Sequence, residues 1–71
     1  MVRIELHKVP DWTDLRVCED EAGVEYARIV ARFASTDSGR RKALLAAFAL
    51  AEAVDAEGVW LVHRGRRERL V

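Results

Sequence analysis

The chain has 71 residues, 51% of them apolar and 34% charged, with twelve acidic and twelve basic side chains. That length excludes two cores, that apolar fraction excludes a disordered chain, and no run approaches the about 20 consecutive apolar residues of a membrane span. A net charge of zero argues against a protein held on nucleic acid or anionic lipid by bulk attraction alone.

From Val2 to Val9, the residues Val2, Ile4 and Leu6 alternate with Arg3, Glu5 and His7, the period of a strand covered on one face. The same alternation leaves no continuous apolar stretch for a secretory signal. Pro10, Asp11, Thr13 and Asp14 surround Trp12 in a turn-forming segment, and a second strand runs through Leu15 and Val17 to Asp20. Glu21, Ala22 and Gly23 predict a three-residue hairpin loop, and a third strand follows over about Val24 to Phe33. Alternation along it puts Ala27, Ile29, Ala31 and Phe33 on one side and Tyr26, Arg28, Val30 and Arg32 on the other.

The period then changes. Leu44, Ala47, Phe48, Ala51 and Val54 stand at helical spacings, which predicts a helix over about Ser38 to Ala56, with candidate N-caps among Ser35, Thr36, Asp37 and Ser38 and a stop at Gly58. Val59 to His63 is a fourth strand, and Arg64 and Gly65 turn the chain into a short fifth one that ends at Leu70 and Val71. The expected fold class is α+β, in the order β-β-β-α-β(-β). It is a three-stranded antiparallel meander, one helix packed on one face, then one or two C-terminal strands, all in one domain over residues 1–71. One helix cannot cover both faces of the sheet. The face left open holds Tyr26, Val30, Trp60 and Val62 rimmed by Arg28 and Arg32; it is either an interaction surface or the floor of a second small core under the termini or Trp12.

Cys18, His7 and His63 are the only sulfur and imidazole donors, and none stands in a pair spaced to share a metal ion. No nucleophile elbow, phosphate-binding loop or second histidine near Cys18 is present, so the sequence predicts no enzyme, no metal and no cofactor. A single cysteine cannot form an internal disulfide, which fits a reducing compartment and makes the cytoplasm the expected location.

Charge is unevenly placed. Residues 1–27 hold seven acids against three bases, and residues 28–71 hold nine bases against five acids, so the molecule is expected to be a charge dipole. Glu19, Asp20, Glu21 and Glu25 at the hairpin tip, with Asp11 and Asp14 across the strand ends, are expected to form a surface for docking on a basic groove, with Trp12 as the apolar anchor beside it. The alternative surface is basic: Arg40, Arg41 and Lys42 in the first helical turn, where backbone N–H groups favour a phosphate, together with Arg64, Arg66 and Arg67. Glu52, Asp55 and Glu57 lie toward the other end, so both helix termini carry charge that the macrodipole disfavours. A third surface is a homodimer face of Tyr26, Val30, Ala49 and Trp60, with Lys42, Ala46, Ala49 and Ala53 as a small-residue helix stripe.

Two resemblances sharpen these readings. Arg40 and Arg41, followed by Ala43, Ala46 and Ala47 on a helix after a three-stranded meander, resemble the C-terminal half of the double-stranded RNA-binding domain. That likeness implies contacts from the basic pair to phosphates across the RNA major groove. The chain departs from that family in lacking an N-terminal helix and in continuing after the helix with VWLVHRGRRERLV. In size, element order and charge layout, with no shared residue motif, the whole chain resembles the small phage-encoded anti-CRISPR proteins. That likeness implies a non-enzymatic inhibitor, working in the host bacterial cytoplasm, whose acidic side chains cover the nucleic-acid surface of a Cas effector. The expected partner is therefore a protein, with duplex RNA or DNA as the alternative and no membrane.

Overall fold

The computed structural model describes residues 1–71, and the elements follow the expected order: β1 (Val2–Lys8), β2 (Trp12–Glu21), β3 (Val24–Ala34), α1 (Asp37–Ala53), β4 (Val59–His63) and β5 (Arg66–Arg69). The five strands make one sheet in the order β3-β2-β1-β4-β5. β1, β2 and β3 form the antiparallel meander, β4 pairs in parallel with β1, and β5 returns antiparallel on β4. The parallel pairing is what the helix requires: α1 carries the chain back along the sheet after β3, so the next strand runs as β1 does and takes the free edge of β1. The fold is therefore α+β, a mixed sheet with one helix on one face.

Both hairpins close through two residues in left-handed conformation, Ala22–Gly23 and Arg64–Gly65, the turn whose twist matches that of the flanking strands. The first loop is one residue shorter than expected because Glu21 already pairs with Val24. β2 also begins earlier, at Trp12, since Thr13 and Asp14 pair with Lys8 and His7.

Thr36 caps α1, its hydroxyl accepting from the Gly39 N–H at 3.0 Å. Asp37 is thus the first helical residue and carries the charge that the macrodipole favours there; Arg40, Arg41 and Lys42 lie in the second turn, not the first. The helix also stops sooner than expected. Val54 is the C-cap, and Asp55, in the left-handed region with φ 52°, takes the place that glycine usually fills. The Asp55 N–H donates to the Glu52 carbonyl and the Ala56 N–H to the Ala51 carbonyl, the paired bonds that close many helix ends. Gly58 serves β4 instead, where a Cβ would lie 2.8 Å from the Trp60 ring.

The core lies between α1 and the middle strands. Ile4 and Leu6 from β1, Leu15 from β2 and Val59 from β4 meet Ala43 and Ala47. The small side chains are on the helix and the large ones on the sheet, so the helix axis comes close while volume is still filled. At the helix start the approach is closest: Gly39 is buried, and any Cβ on it would run into the carbonyl of Ala34.

One expectation about faces is overturned. The register between β2 and β3 shifts after Leu15, which pairs with Ala31, while Arg16 pairs with Ile29. Val30 is left without a partner, a bulge that moves every residue before it to the other side of the sheet. Ala31 and Phe33 face the helix, as does the tip residue Tyr26 opposite Glu19; Ala27 and Ile29 lie on the open face with Cys18 and Arg16. Tyr26, Val30 and Trp60 therefore do not make one surface.

Alanine at position 39 would stabilise an ordinary helix interior by about 0.5–1 kcal/mol. Here Gly39→Ala is expected to destabilise the protein by roughly 1–3 kcal/mol, the range for overfilling a packed site, as a lowered urea midpoint with unchanged slope will show.

Candidate functional site

Five strands about 4.8 Å apart span roughly 19 Å between the outer axes, whereas a helix with its side chains is about 10 Å wide. α1 starts over β3, where Gly39 meets Ala34, and ends beside β4, where Phe48 and Ala51 border a hollow shared with Gly58 and Val71. This oblique path leaves uncovered the whole opposite face and two corners of the helix side. The candidate site residues fall in these three places.

The opposite face is roofed by ion pairs and not by a second core. Glu5, 6% exposed, sits at its centre. Arg3 Nε donates to Glu5 Oε2 at 2.6 Å, Arg67 Nη2 donates to the same oxygen at 3.1 Å, and His7 Nε2 lies 2.7 Å from Oε1. Arg3 also pairs with Glu25, on β3 across the sheet. Burial pushes the Glu5 carboxyl up, but hydrogen bonds from Arg3 and His7 and the charges of Arg3 and Arg67 outweigh it and hold its pKa below the ordinary value of 4.5. The Arg3 guanidinium is held more firmly protonated in return, chiefly by its hydrogen bond to Glu5. A second centre forms around Asp14, 4% exposed, which accepts from Arg32 Nε at 2.8 Å and has Arg16 at 3.9 Å. Arg32 stacks over Trp12 at 4.7 Å, and Arg69 and Arg67 over Trp60 at 5.0 and 5.9 Å. Beneath this layer Cys18 is buried, and burial pushes its thiol pKa up, which disfavours the thiolate.

These contacts redistribute the acidic residues singled out in the sequence. Asp14 is committed to Arg32 and Trp12 is stacked on the same arginine. Both lie with Asp11 near the start of β2, about 20–30 Å from the tip at about 3.4 Å per residue. Glu19, Asp20 and Glu21 are exposed at the tip, and Glu25 joins them opposite Asp20. The apolar partner of this acidic group is Tyr26, 59% exposed and directly opposite Glu19, with Val24 beside it. Alternation on β3 hid that role, because the bulge alone puts Tyr26 on the helix side at a corner the helix does not reach. Glu52, Asp55 and Glu57 converge on the same end of the molecule, since the Glu57 N–H donates to the Val2 carbonyl and Val2 pairs with Glu19.

The basic residues divide likewise. Arg67 is bound to Glu5, whereas Arg40, Arg64 and Arg66 stand at the end away from the acidic tip. There Lys8, Ser35, Arg40, His63 and Arg64 line an open cleft of about 510 Å³ at the C-terminal ends of β1 and β4. Arg40 is partly engaged, 3.8 Å from Asp37 and 3.5 Å from the Ser35 carbonyl. Lys8 and His63 are additions that only the β1–β4 pairing reveals. The expected charge dipole thus runs along the strands and not between the two halves of the sequence. Of the residues grouped as a dimer face, Tyr26 lies at the acidic corner, Val30 in the bulge of an edge strand, Ala49 on the exposed helix and Trp60 under two arginines. They do not come together. No group of three His, Cys, Asp or Glu is placed to hold a metal ion, and no helix is long and apolar enough to cross a membrane.

Because the Glu5 pKa is lower folded than unfolded, its ionisation contributes stability above about pH 4.5 that is lost as the pH falls through the folded value. Glu5→Gln, which leaves Arg67 without its counter-charge and Arg3 with Glu25 alone, is expected to cost roughly 1–3 kcal/mol at pH 7. The gap to wild type should narrow toward pH 3 in urea melts at both pH values. Compared with models of protein families, with curated proteins and with solved structures, the chain finds no significant match in any of the three.

Proposed function

We propose that the chain is a non-enzymatic protein-binding inhibitor of the anti-CRISPR kind, which docks the acidic corner of its β2–β3 hairpin on the basic surface of a nucleic-acid-binding effector. The observation that carries this reading is the exposed set Glu19, Asp20 and Glu21 around an uncovered Tyr26. Three carboxylates without a basic partner in the chain raise the rate of encounter with a positive groove and fix register, while a neighbouring aromatic side chain supplies contact area that desolvates on binding. Glu52, Asp55 and Glu57 at the same end extend the negative field, and the helix macrodipole, negative at its C-terminus, adds to it. Carboxylates held at the spacing of a strand meet a groove that otherwise holds phosphates, and occupancy alone then blocks nucleic acid.

Changing Glu19, Asp20 and Glu21 together to Lys leaves the core untouched and is expected to abolish capture of a CRISPR effector complex from bacterial lysate. Tyr26→Ala should weaken capture by about tenfold or more, as for an interface anchor. Undiminished capture by the folded triple variant removes this mechanism.

A second reading rests on the cleft of Lys8, Arg40, His63 and Arg64 at the opposite end, which suits the phosphates of a nucleic acid. If it operates, duplex RNA or DNA binds with an affinity that falls steeply with salt, and Arg40→Glu with Arg64→Glu removes the binding. A gel-shift titration at low salt and micromolar protein that shows no complex excludes it.

A further inference from the structure

The outward side of α1 carries a stripe that reads the same in both directions. Arg41, Leu45, Phe48 and Glu52 follow one another at intervals of four, three and four residues, so they occupy one narrow sector of the helix. The helix buries a different side against the sheet, at Gly39, Ala43 and Ala47, and the stripe meets the rest of the chain only where Phe48 and Glu52 border the hollow beside Gly58 and Val71. Leu45 is 67% exposed and Phe48 40% exposed, with Leu44 exposed beside them. Arg41 and Glu52 enter none of the ion pairs or side-chain hydrogen bonds of the chain. Two leucines and a phenylalanine exposed together on one side of a helix form an apolar patch of the kind that marks an interaction surface, and the two unpaired charges stand at its ends.

A second copy of the same helix, laid antiparallel, fits this stripe by construction. The spacing is palindromic, so Leu45 meets Phe48 of the other copy and Arg41 meets Glu52, and each contact occurs twice. We infer that α1 pairs antiparallel with α1 of a second copy about a twofold axis near residues 46 and 47. The apolar pair forms the centre of that interface and two Arg41–Glu52 ion pairs close its ends. Intervals of four and three are those of helices crossing at about 20°. The pairing also gives a use to charges that a lone helix does not favour. Arg41 faces Glu52 in the last turn of the other copy, and the two macrodipoles oppose one another. Any other occupant would need the complementary stripe at the same spacing, whereas a copy supplies it without further design. A single helix face is well below the about 1,200 Å² of a standard stable interface, so the dimer is a weak one. It leaves the acidic hairpin corner free and does not depend on the function proposed above.

Sedimentation equilibrium at low ionic strength, from about ten to several hundred micromolar, tests the pairing. The wild-type mass should rise toward that of two chains, and Leu45→Glu should stay at one chain throughout. Arg41→Glu and Glu52→Arg should each weaken association by about tenfold or more, because each sets like charges opposite one another at both ends. The double variant carrying both changes should recover association, and an equimolar mixture of the two single variants should form a heterodimer. The Lys variant of Glu19, Asp20 and Glu21 should dimerise as wild type does, which separates this result from that of the effector-capture experiment. All these positions are exposed, and far-UV circular dichroism verifies that each variant is folded. A wild-type mass of one chain at every concentration, or a double variant no tighter than the single ones, overturns the inference.

Discussion

Two nearly buried carboxylates, Glu5 and Asp14, on the side of the sheet without a helix are the constraint on which the rest of this structure depends. A single 17-residue helix covers one face of a five-stranded sheet only in part, and a bare second face would expose the backbone and apolar strand residues to water. Here arginines lie across it, with their aliphatic stems on the sheet and their charged ends on Glu5, Asp14 and Glu25. Because Glu5 belongs to β1 and Arg67 to β5, the pair reaches across β4 and ties the last strand to the centre of the sheet. A carboxylate so placed holds the fold only while ionised, which is why three cationic or protonatable groups surround it.

Using ion pairs as a second layer has consequences for function. It consumes Asp14, Glu25, Arg32 and Arg67, so within the sheet the acidic and basic groups left for a partner gather at the two ends of the strands, with Arg41 and Glu52 unpaired on the outer side of α1. Acidic residues gather at one end because the β2–β3 tip and the helix C-terminus meet there, and basic residues gather at the other because the helix N-terminus meets the ends of β1 and β4. The fold thus converts a chain of zero net charge into a body with opposed poles, a property invisible to bulk charge and suited to oriented docking. The helix path matters as much: by crossing obliquely from β3 to β4 it exposes Tyr26 beside the acidic tip and leaves its own outer side unoccupied.

Much of this was legible in the chain. Alternation in Val2 to Val9 defines a strand with one covered face, the change of period at Leu44 defines the helix, and Arg64–Gly65 defines the final hairpin, because each rests on contacts between near neighbours. The errors share a cause as well. Val30 obeys the alternation around it, yet the pairing with β2 skips it, and a bulge belongs to two strands at once. Thr36 and Asp55 act as caps although neighbouring Ser, Asp and Gly residues were equal candidates, since the choice depends on how the helix seats on Ala34 and β4. Arg3, Glu5 and His7 were visible as the polar side of a strand, but nothing local says that Arg67, 62 residues away, completes their network.

The sequence by itself determined the elements, their order, the single core and the clustering of acids near Glu19 to Glu25 and of bases near Arg40 and Arg64, because period, turn chemistry and charge are carried within a few residues. Only the tertiary structure decided which charges are spent and which are free. Strand register sets who faces whom: a one-residue bulge reverses a face, a parallel β1–β4 pairing brings Lys8 to His63, and a helix narrower than its sheet leaves particular corners bare. Those are relations between segments distant in the chain, and their energies exist only once the segments have met.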